Sequence, residues 1–229
     1  MKPTRPRLYA LFAGMVLSLA AQAQNISIAT GGTGGVYYPL GGGIAAVLSK
    51  HVPGMQATAE VTGGSVDNLK LIGSGKPYVG FTMTDAGLDA YRGEDKFKGN
   101  KVPLKTLMIL YPNRMHIASV EGRGIAKMAD LKGKRVSLDE PGSGTLVNAK
   151  VILAAYGITE KDFKPEYLKP QQAAEKMKDG AVDAFFSTTG YPQGSITELA
   201  ATSGIELVLE HATGQSKDIA SSSGIPNPS

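Results

Sequence analysis

The chain has 229 residues, of which 42% are hydrophobic and 19% are charged, and this balance is typical of a globular protein rather than a disordered one. The formal net charge is +4. Three of the basic residues, Lys2, Arg5 and Arg7, lie in an N-terminal leader, and without them the charge is too close to zero for electrostatic binding of nucleic acid. The absence of cysteine excludes disulfides, thiolate metal sites and cysteine nucleophiles. With only three scattered histidines, we predict no metal site and no cofactor.

The first 23 residues have the pattern of a signal peptide. A basic start precedes an almost wholly apolar run over residues 8–20, and the small residues of Ala21-Gln22-Ala23 form a cleavage site. The apolar run is shorter than the ~20 residues that a membrane-spanning helix needs. We therefore predict a periplasmic protein that begins at Gln24 after cleavage.

Strand and helix patterns alternate from residue 25 onward, separated by glycine-rich turns. Strands are predicted over residues 26–30, 56–62, 78–82, 104–111, 116–120, 134–138, 163–168, 181–186 and 205–209. Helices are predicted over residues 38–51, from 65, and over 85–91, 125–132, 146–156, 171–179 and 193–201. Residues 92–103 form a predicted polar surface loop, and residues 211–229 a disordered tail. The alternation predicts an α/β fold of parallel sheets covered by helices, in two lobes over residues 24–112 and 113–210.

The loops with the most informative composition each follow a predicted strand and precede a predicted helix, which is where open α/β sheets bind ligands. A helix N-terminus also has free N–H groups and a partial positive charge that attract anions. In the first lobe these loops are residues 30–35 and 62–65, where Ser65 is a predicted N-cap. In the second lobe, residues 141–145 combine two glycines and two hydroxyls at a helix start, and residues 187–192 supply hydroxyls and Tyr191.

Each of these loops also has a plain structural interpretation as a tight turn or a helix cap. The glycine spacing does not match the nucleotide-binding motifs. A hydrolase that uses Ser143 is a further alternative, but the sequence around Ser143 lacks the G-x-S-x-G spacing of a nucleophile elbow. The loops hold no paired carboxylates, histidine cluster or nucleophile–base pair, so we predict a binding protein and not an enzyme.

Four segments resemble the TAXI family of TRAP transporter solute receptors in their order and spacing. They are residues 29–41, residues 58–69, residues 131–137 followed by 141–145, and residues 183–186 leading to 190–192. The resemblance implies a two-lobed periplasmic binding protein of type 2. Such a receptor captures a small organic acid, glutamate- or glutamine-like or another carboxylate, in its interlobe cleft. It then delivers the acid to the TRAP membrane subunits, and we expect it to be a monomer.

The resemblance also implies which residues bind the ligand. From the first lobe these are Thr33, Gly34, Tyr37, Ser65 and Asn68. From the second lobe they are Gly142, Ser143, Gly144, Thr145 and Asn148, with Thr189 and Tyr191 on the rim.

Two departures from the family pattern qualify this assignment. Met83 stands where the family commonly has glutamine, and the chain is shorter than family members, so we expect the first lobe to be incomplete. A ligand-binding module of a membrane sensor and a truncated receptor that no longer binds remain alternatives.

Overall fold

A computed structural model describes residues 24–76 and 78–208 of the protein. The predicted signal peptide and the predicted tail lie outside the described residues. None of the helices in the described ranges is both long enough and apolar enough to cross a membrane.

The first lobe is built on a parallel three-stranded sheet. Its strands are β1 (Gln24–Ala29), β2 (Met55–Glu60) and β3 (Tyr78–Gly80), in the order β2-β1-β3. Its helices are α1 (Tyr37–His51), α2 (Ser65–Gly73) and α3 (Thr84–Arg92). Successive strand–helix–strand connections explain why all three strands run in the same direction. Ile28 on the central strand is fully buried with Ala45 and Phe81 in one core cluster of this lobe.

The second lobe is built on a five-stranded sheet. Its strands are β4 (Arg114–Val120), β5 (Arg135–Ser137), β6 (Lys164–Glu166), β7 (Ala184–Thr189) and β8 (Ile205–Leu207), in the order β6-β5-β7-β4-β8. Its helices are α4 (Gly144–Ala155), α5 (Pro170–Lys178) and α6 (Gly194–Thr202). The largest core cluster lies here, around the fully buried Leu131, Val136 and Leu138.

The prediction of purely parallel sheets is wrong for the second lobe, because β4 runs antiparallel to both of its neighbours, β7 and β8. Strands β5, β6 and β7 are joined by helical crossovers and are parallel. Strand β4 enters the sheet directly from the first lobe, so no crossover within the sheet sets its direction.

The strand predicted over residues 104–111 is absent. These residues have neither helical nor strand structure, and Leu107, Met108, Ile109 and Leu110 are exposed. A strand needs a neighbour to accept its backbone hydrogen bonds, and in the described part of the chain no strand pairs with this segment.

Two shorter predictions also need correction. The loop predicted over residues 92–103 is not wholly a surface loop, because a 3₁₀ helix at Asp95–Phe97 directs Phe97 into the core, where Val102 is also buried. The helix predicted over residues 125–132 is a single 3₁₀ turn at Met128–Leu131. In the second segment a few buried apolar side chains, rather than a full helical repeat, produced the sequence pattern.

Candidate functional site

A cavity of about 60 Å³ lies between the two lobes. The residue that caps the N-terminus of each of the six described α-helices lines this cavity. These residues are Val36, Gly64 and Met83 in the first lobe and Ser143, Lys169 and Gln193 in the second.

This convergence follows from the order of the elements. Each helix comes directly after a strand, and the preceding strands are parallel within each sheet, so their carboxyl ends lie at the same edge. The two edges face one another across the cavity. A helix N-terminus has a partial positive charge of about half an elementary charge, so six converging helix starts favour an anion at this place.

The start of α4 offers two backbone donors. The Ser143 hydroxyl accepts a hydrogen bond from the Leu146 N–H at 3.0 Å. Gly144 and Thr145 line the cavity, and their backbone N–H groups have no acceptor among the described residues. The Thr145 hydroxyl oxygen accepts from the Thr188 N–H at 3.0 Å, which ties this turn to the end of β7. Two adjacent free N–H groups suit the oxygens of a carboxylate.

The start of α2 is arranged differently from the prediction. Gly64, not Ser65, is the N-cap residue, and it has φ of 104°, a conformation that favours glycine. Ser65 is the first helical residue, and its hydroxyl accepts from the Met83 N–H at 3.1 Å, which joins α2 to α3.

The free N–H groups of α2 are taken by the other lobe. Val66 and Asp67 both donate to the backbone oxygen of Gly142, at 3.0 and 3.2 Å. Gly142 has φ of 97°, and a side chain there would collide with the Asp67 carboxylate. The start of α2 therefore holds the two lobes together and is not open to a ligand in this conformation.

Three further contacts hold the lobes closed over the cavity. The Ser195 N–H donates to the Gly34 oxygen at 3.2 Å. The Asn113 amide donates to the Tyr37 hydroxyl at 3.0 Å. The Asn148 amide lies 3.5 Å from the Met83 sulfur. The cavity has room for only a few water-sized groups in this conformation, so we expect a ligand to enter when the lobes separate.

Asp139 is the most strongly perturbed ionisable group in the cavity lining. It is only 7% exposed, and burial raises the pKa of its carboxyl from 3.8 to about 7. The hydrogen bond that one carboxyl oxygen accepts from the Glu140 N–H, at 2.8 Å, lowers the pKa by a smaller amount. Asp139 forms no ion pair with any residue in the described ranges.

The other charged groups of the lining neutralise one another. The Lys169 ammonium lies 3.3 Å from the Glu140 carboxylate. Tyr37 is neutral, since burial raises the pKa of its hydroxyl, and its ring lies 5.0 Å from that of Phe81.

Gln193 supplies a buried acceptor with no partner. It is 2% exposed, and its amide nitrogen donates to the Ser195 hydroxyl at 3.0 Å. Its amide oxygen has no hydrogen-bond donor among the described residues. Buried polar atoms are nearly always paired, and this oxygen is one of four such atoms in the described residues that are not.

The structure brings together half of the residues predicted to bind a ligand. Six of them line the cavity: Tyr37, Ser65, Ser143, Gly144, Thr145 and Thr189. The other six do not: Thr33, Gly34, Asn68, Gly142, Asn148 and Tyr191.

Two of the residues outside the lining have clear alternative roles or positions. Asn68 is fully buried, and its amide nitrogen donates to the backbone oxygens of Thr30 and Phe81 at 2.6 and 2.7 Å. Its amide oxygen accepts from the Thr62 hydroxyl at 2.6 Å, so the side chain braces the loops of the first lobe. Tyr191 is 83% exposed.

Sequence reasoning missed four polar residues of the lining: Asp139, Glu140, Lys169 and Gln193. Asp139 directly follows the strand predicted over residues 134–138, and Gln193 is the first residue of a predicted helix. The rule that ligands bind at strand ends and helix starts therefore applied to both. What the sequence did not contain was the burial that distinguishes them from ordinary surface residues.

Solved structures with the same fold include two binding proteins and one putative transporter protein. The alkanesulfonate-binding protein SsuA from Xanthomonas axonopodis pv. citri, bound to MOPS, is 19% identical with a TM-score of 0.54, and the match covers 82% of this chain and 61% of that one. A putative L-cystine ABC transporter protein from Listeria monocytogenes is 16% identical with a TM-score of 0.52, and the match covers 87% of this chain and 88% of that one. An ancestral arginine-binding protein bound to arginine is 14% identical with a TM-score of 0.53, and the match covers 88% of this chain and 91% of that one.

These matches confirm the two-lobed α/β fold of type 2 periplasmic binding proteins. None of the three proteins is named as an enzyme, in agreement with the prediction from the loops. The chain spans about three fifths of the length of the sulfonate-binding protein. The model of the NMT1-like family matches residues 28–225, which is most of the sequence. The chain therefore belongs to the NMT1-like family.

Proposed function

We propose that this protein is a periplasmic solute receptor that captures a small organic acid, glutamate- or glutamine-like or another carboxylate, between its lobes. The observation that carries the proposal is the pair of free N–H groups of Gly144 and Thr145 among six converging helix starts. They are placed to donate to a carboxylate, and the partial charges of the helices stabilise it. The family and the matched binding proteins support the same function.

Binding of the acid is coupled to closure of the two lobes. The bonds from Val66 and Asp67 to the Gly142 oxygen, and from Ser195 to the Gly34 oxygen, join the lobes across the cavity. An acid held by Gly144 and Thr145 would also face the first lobe through Tyr37 and Ser65. Because it contacts both lobes only when they are closed, the acid shifts the population toward the closed form.

The transporter that receives the acid is proposed to be of the TRAP type, driven by an ion gradient. This rests on the resemblance of four segments to the TAXI receptors. The names of two matched structures, a putative L-cystine ABC transporter and a binding protein component of an ABC phosphonate transporter, favour a second candidate, an ABC transporter. Uptake into proteoliposomes distinguishes them: with TRAP membrane subunits, an ion gradient alone should drive uptake when this protein is present. Uptake that requires ATP and an ABC permease would refute the first assignment.

Isothermal titration against a panel of amino acids, dicarboxylates and 2-oxo acids tests the capture step. We expect heat from at least one acid. No heat from any acid, with a cooperative melting transition showing that the protein is folded, would overturn the proposal.

A matched pair of variants at Gly144 tests the role of its N–H group. Both Gly144→Ala and Gly144→Pro add a Cβ atom, but only proline removes the N–H, and proline is tolerated at the first position of a helix. A hydrogen bond to a charged acceptor contributes roughly 1.5–3 kcal/mol. The proline variant should therefore bind the acid at least tenfold more weakly than the alanine variant. Equal affinities would show that this N–H does not contact the acid.

A further inference from the structure

A buried carboxyl group lies beside the free donors at the start of α4. Asp139 comes two residues after the end of β5 and is only 7% exposed. The hydroxyls of Ser143 and Thr145, the residues on either side of Gly144 in the sequence, both act on its carboxyl as hydrogen-bonding groups. Gly144 and Thr145 line the same cavity as Asp139, and their N–H groups have no acceptor in the described parts of the chain. The Asp139 carboxyl is therefore next to the place where the proposed acid puts its carboxylate.

The backbone holds Asp139 in the lining by an unfavourable conformation. Its φ of 74° lies in the left-handed region that side chains rarely adopt. Oδ1 of its carboxyl accepts a hydrogen bond from the Glu140 N–H at 2.8 Å, which fixes the orientation of the group. Such strained positions persist where the surrounding structure imposes them, and they cluster at binding sites.

The titratable groups around Asp139 offer it no free cation. Lys169, at the start of α5, lies 3.3 Å from the Glu140 carboxylate, and the described residues of the lining include no other lysine, arginine or histidine. The charge of Glu140 repels an ionised Asp139, and Asp67 on α2 in turn repels Glu140. Tyr37 on α1 is neutral. An acid that enters this cavity therefore brings a second negative charge to a carboxyl that has no cation of its own.

We propose that capture of the acid takes up one proton, which Asp139 carries and donates as a hydrogen bond to the carboxylate of the bound acid. Two carboxyl groups confined to one closed site cannot both stay ionised, so they share one proton taken from the solvent. Because Oδ1 of Asp139 accepts from Glu140, the new O–H bond forms at its other oxygen. This coupling rests on the proposed function as a receptor for a small acid and adds a third donor to the N–H groups of Gly144 and Thr145.

The coupling gives capture a fixed direction of pH dependence. Burial raises the pKa of Asp139 to about 7, so below this pH the free protein already carries the proton. Above it, each acid that binds must bring a proton with it, and the Kd should rise about tenfold for each pH unit. An acid whose own ammonium group neutralised Asp139 would show the opposite trend, because it needs the ionised carboxylate.

Isothermal titration of L-glutamate, L-glutamine, succinate and 2-oxoglutarate tests the coupling. For the acid with the lowest Kd at pH 6.5, the Kd should rise about tenfold between pH 7.5 and pH 8.5. At pH 8, the heats in Tris and in triethanolamine, two amine buffers with different ionisation enthalpies, should show uptake of about one proton for each acid bound. An affinity that stays constant or increases over this range, or binding without proton uptake, would overturn the coupling and leave the proposed receptor function intact. No binding of any of the four acids to folded protein would overturn both.

Asp139→Asn tests the residue itself, because the amide resembles the protonated carboxyl. Asparagine keeps an oxygen for the Glu140 N–H and places an N–H donor where the protonated acid has its O–H. The variant should take up no proton, should bind with a Kd that does not change with pH, and at pH 8.5 should bind at least tenfold more tightly than the wild type. A Kd that rises with pH in parallel with that of the wild type would assign Asp139 a purely structural role and overturn the coupling. Asp179→Asn, at the exposed end of α5, is the matched control and should keep the pH dependence of the wild type.

Discussion

Replacing Asp139 with asparagine should stabilise the ligand-free protein at alkaline pH. The folded protein raises the pKa of this carboxyl from 3.8 to about 7, chiefly by burial. One pH unit corresponds to about 1.4 kcal/mol, so burying the charged carboxylate at pH 8 costs up to about 4 kcal/mol. Asparagine keeps the oxygen that accepts from Glu140 and carries no charge.

The direction of the pH dependence follows from proton binding. Between pH 4 and pH 7 the unfolded chain has released the Asp139 proton, whereas the folded protein still holds it, so stability falls as the pH rises through this window. The stability of the asparagine variant does not fall in this way, because asparagine has no proton to release. Its melting temperature should therefore equal that of the wild type near pH 4 and be higher at pH 8, by on the order of 10 °C.

Thermal melting of both proteins at pH 4, 6 and 8 measures this difference, with Asp179→Asn as the control for loss of one negative charge. If the melting temperatures of the wild type and of Asp139→Asn differ by the same amount at all three pH values, the claim that burial raises the pKa of Asp139 is refuted.

Three other substitutions test the contact between the lobes, helix α1 and an ion pair of the second lobe. Gly144→Ala places a methyl group against the Met83 side chain and should weaken acid binding. Gly43→Ala, in open space on α1, should instead stabilise the fold by about 0.5–1 kcal/mol in denaturant unfolding. Asp183→Asn leaves one oxygen where two accept hydrogen bonds from the Arg135 guanidinium, at 2.9 and 2.5 Å, and removes the negative charge, so it should cost about 1–3 kcal/mol at pH 7. Arg135 holds the pKa of Asp183 below its usual range, so the wild type should lose its higher free energy of unfolding as the pH falls below about 4. If the wild type remains more stable than Asp183→Asn in acid, the ion pair does not explain the difference between them.

The architecture was predictable because its signals are local. Helix periodicity and glycine-rich turns identified α1 as residues 38–51, within one residue of Tyr37–His51. The rule that ligands bind at strand ends pointed to the start of α4, where the structure has its free donors. These features depend on neighbours a few residues apart, which the sequence shows directly.

The rest depends on contacts between distant parts of the chain. The apolar residues around Ile109 have the composition of a strand, but pairing is decided by a neighbour that the segment does not have in the described structure. Asn68 has the right position for a ligand contact, yet Thr30 and Phe81, far away in sequence, use its amide. The perturbation of Asp139 likewise arises from burial between elements, which no local pattern encodes.

The most direct test of acid capture is NMR of the ¹⁵N-labelled protein, titrated with the acid of the panel that has the lowest Kd. The backbone amide signals of Gly144 and Thr145 should shift downfield more than those elsewhere in the chain and should saturate at the Kd measured by heat. If the acid binds while these two signals stay in place, the start of α4 is not the site that holds its carboxylate.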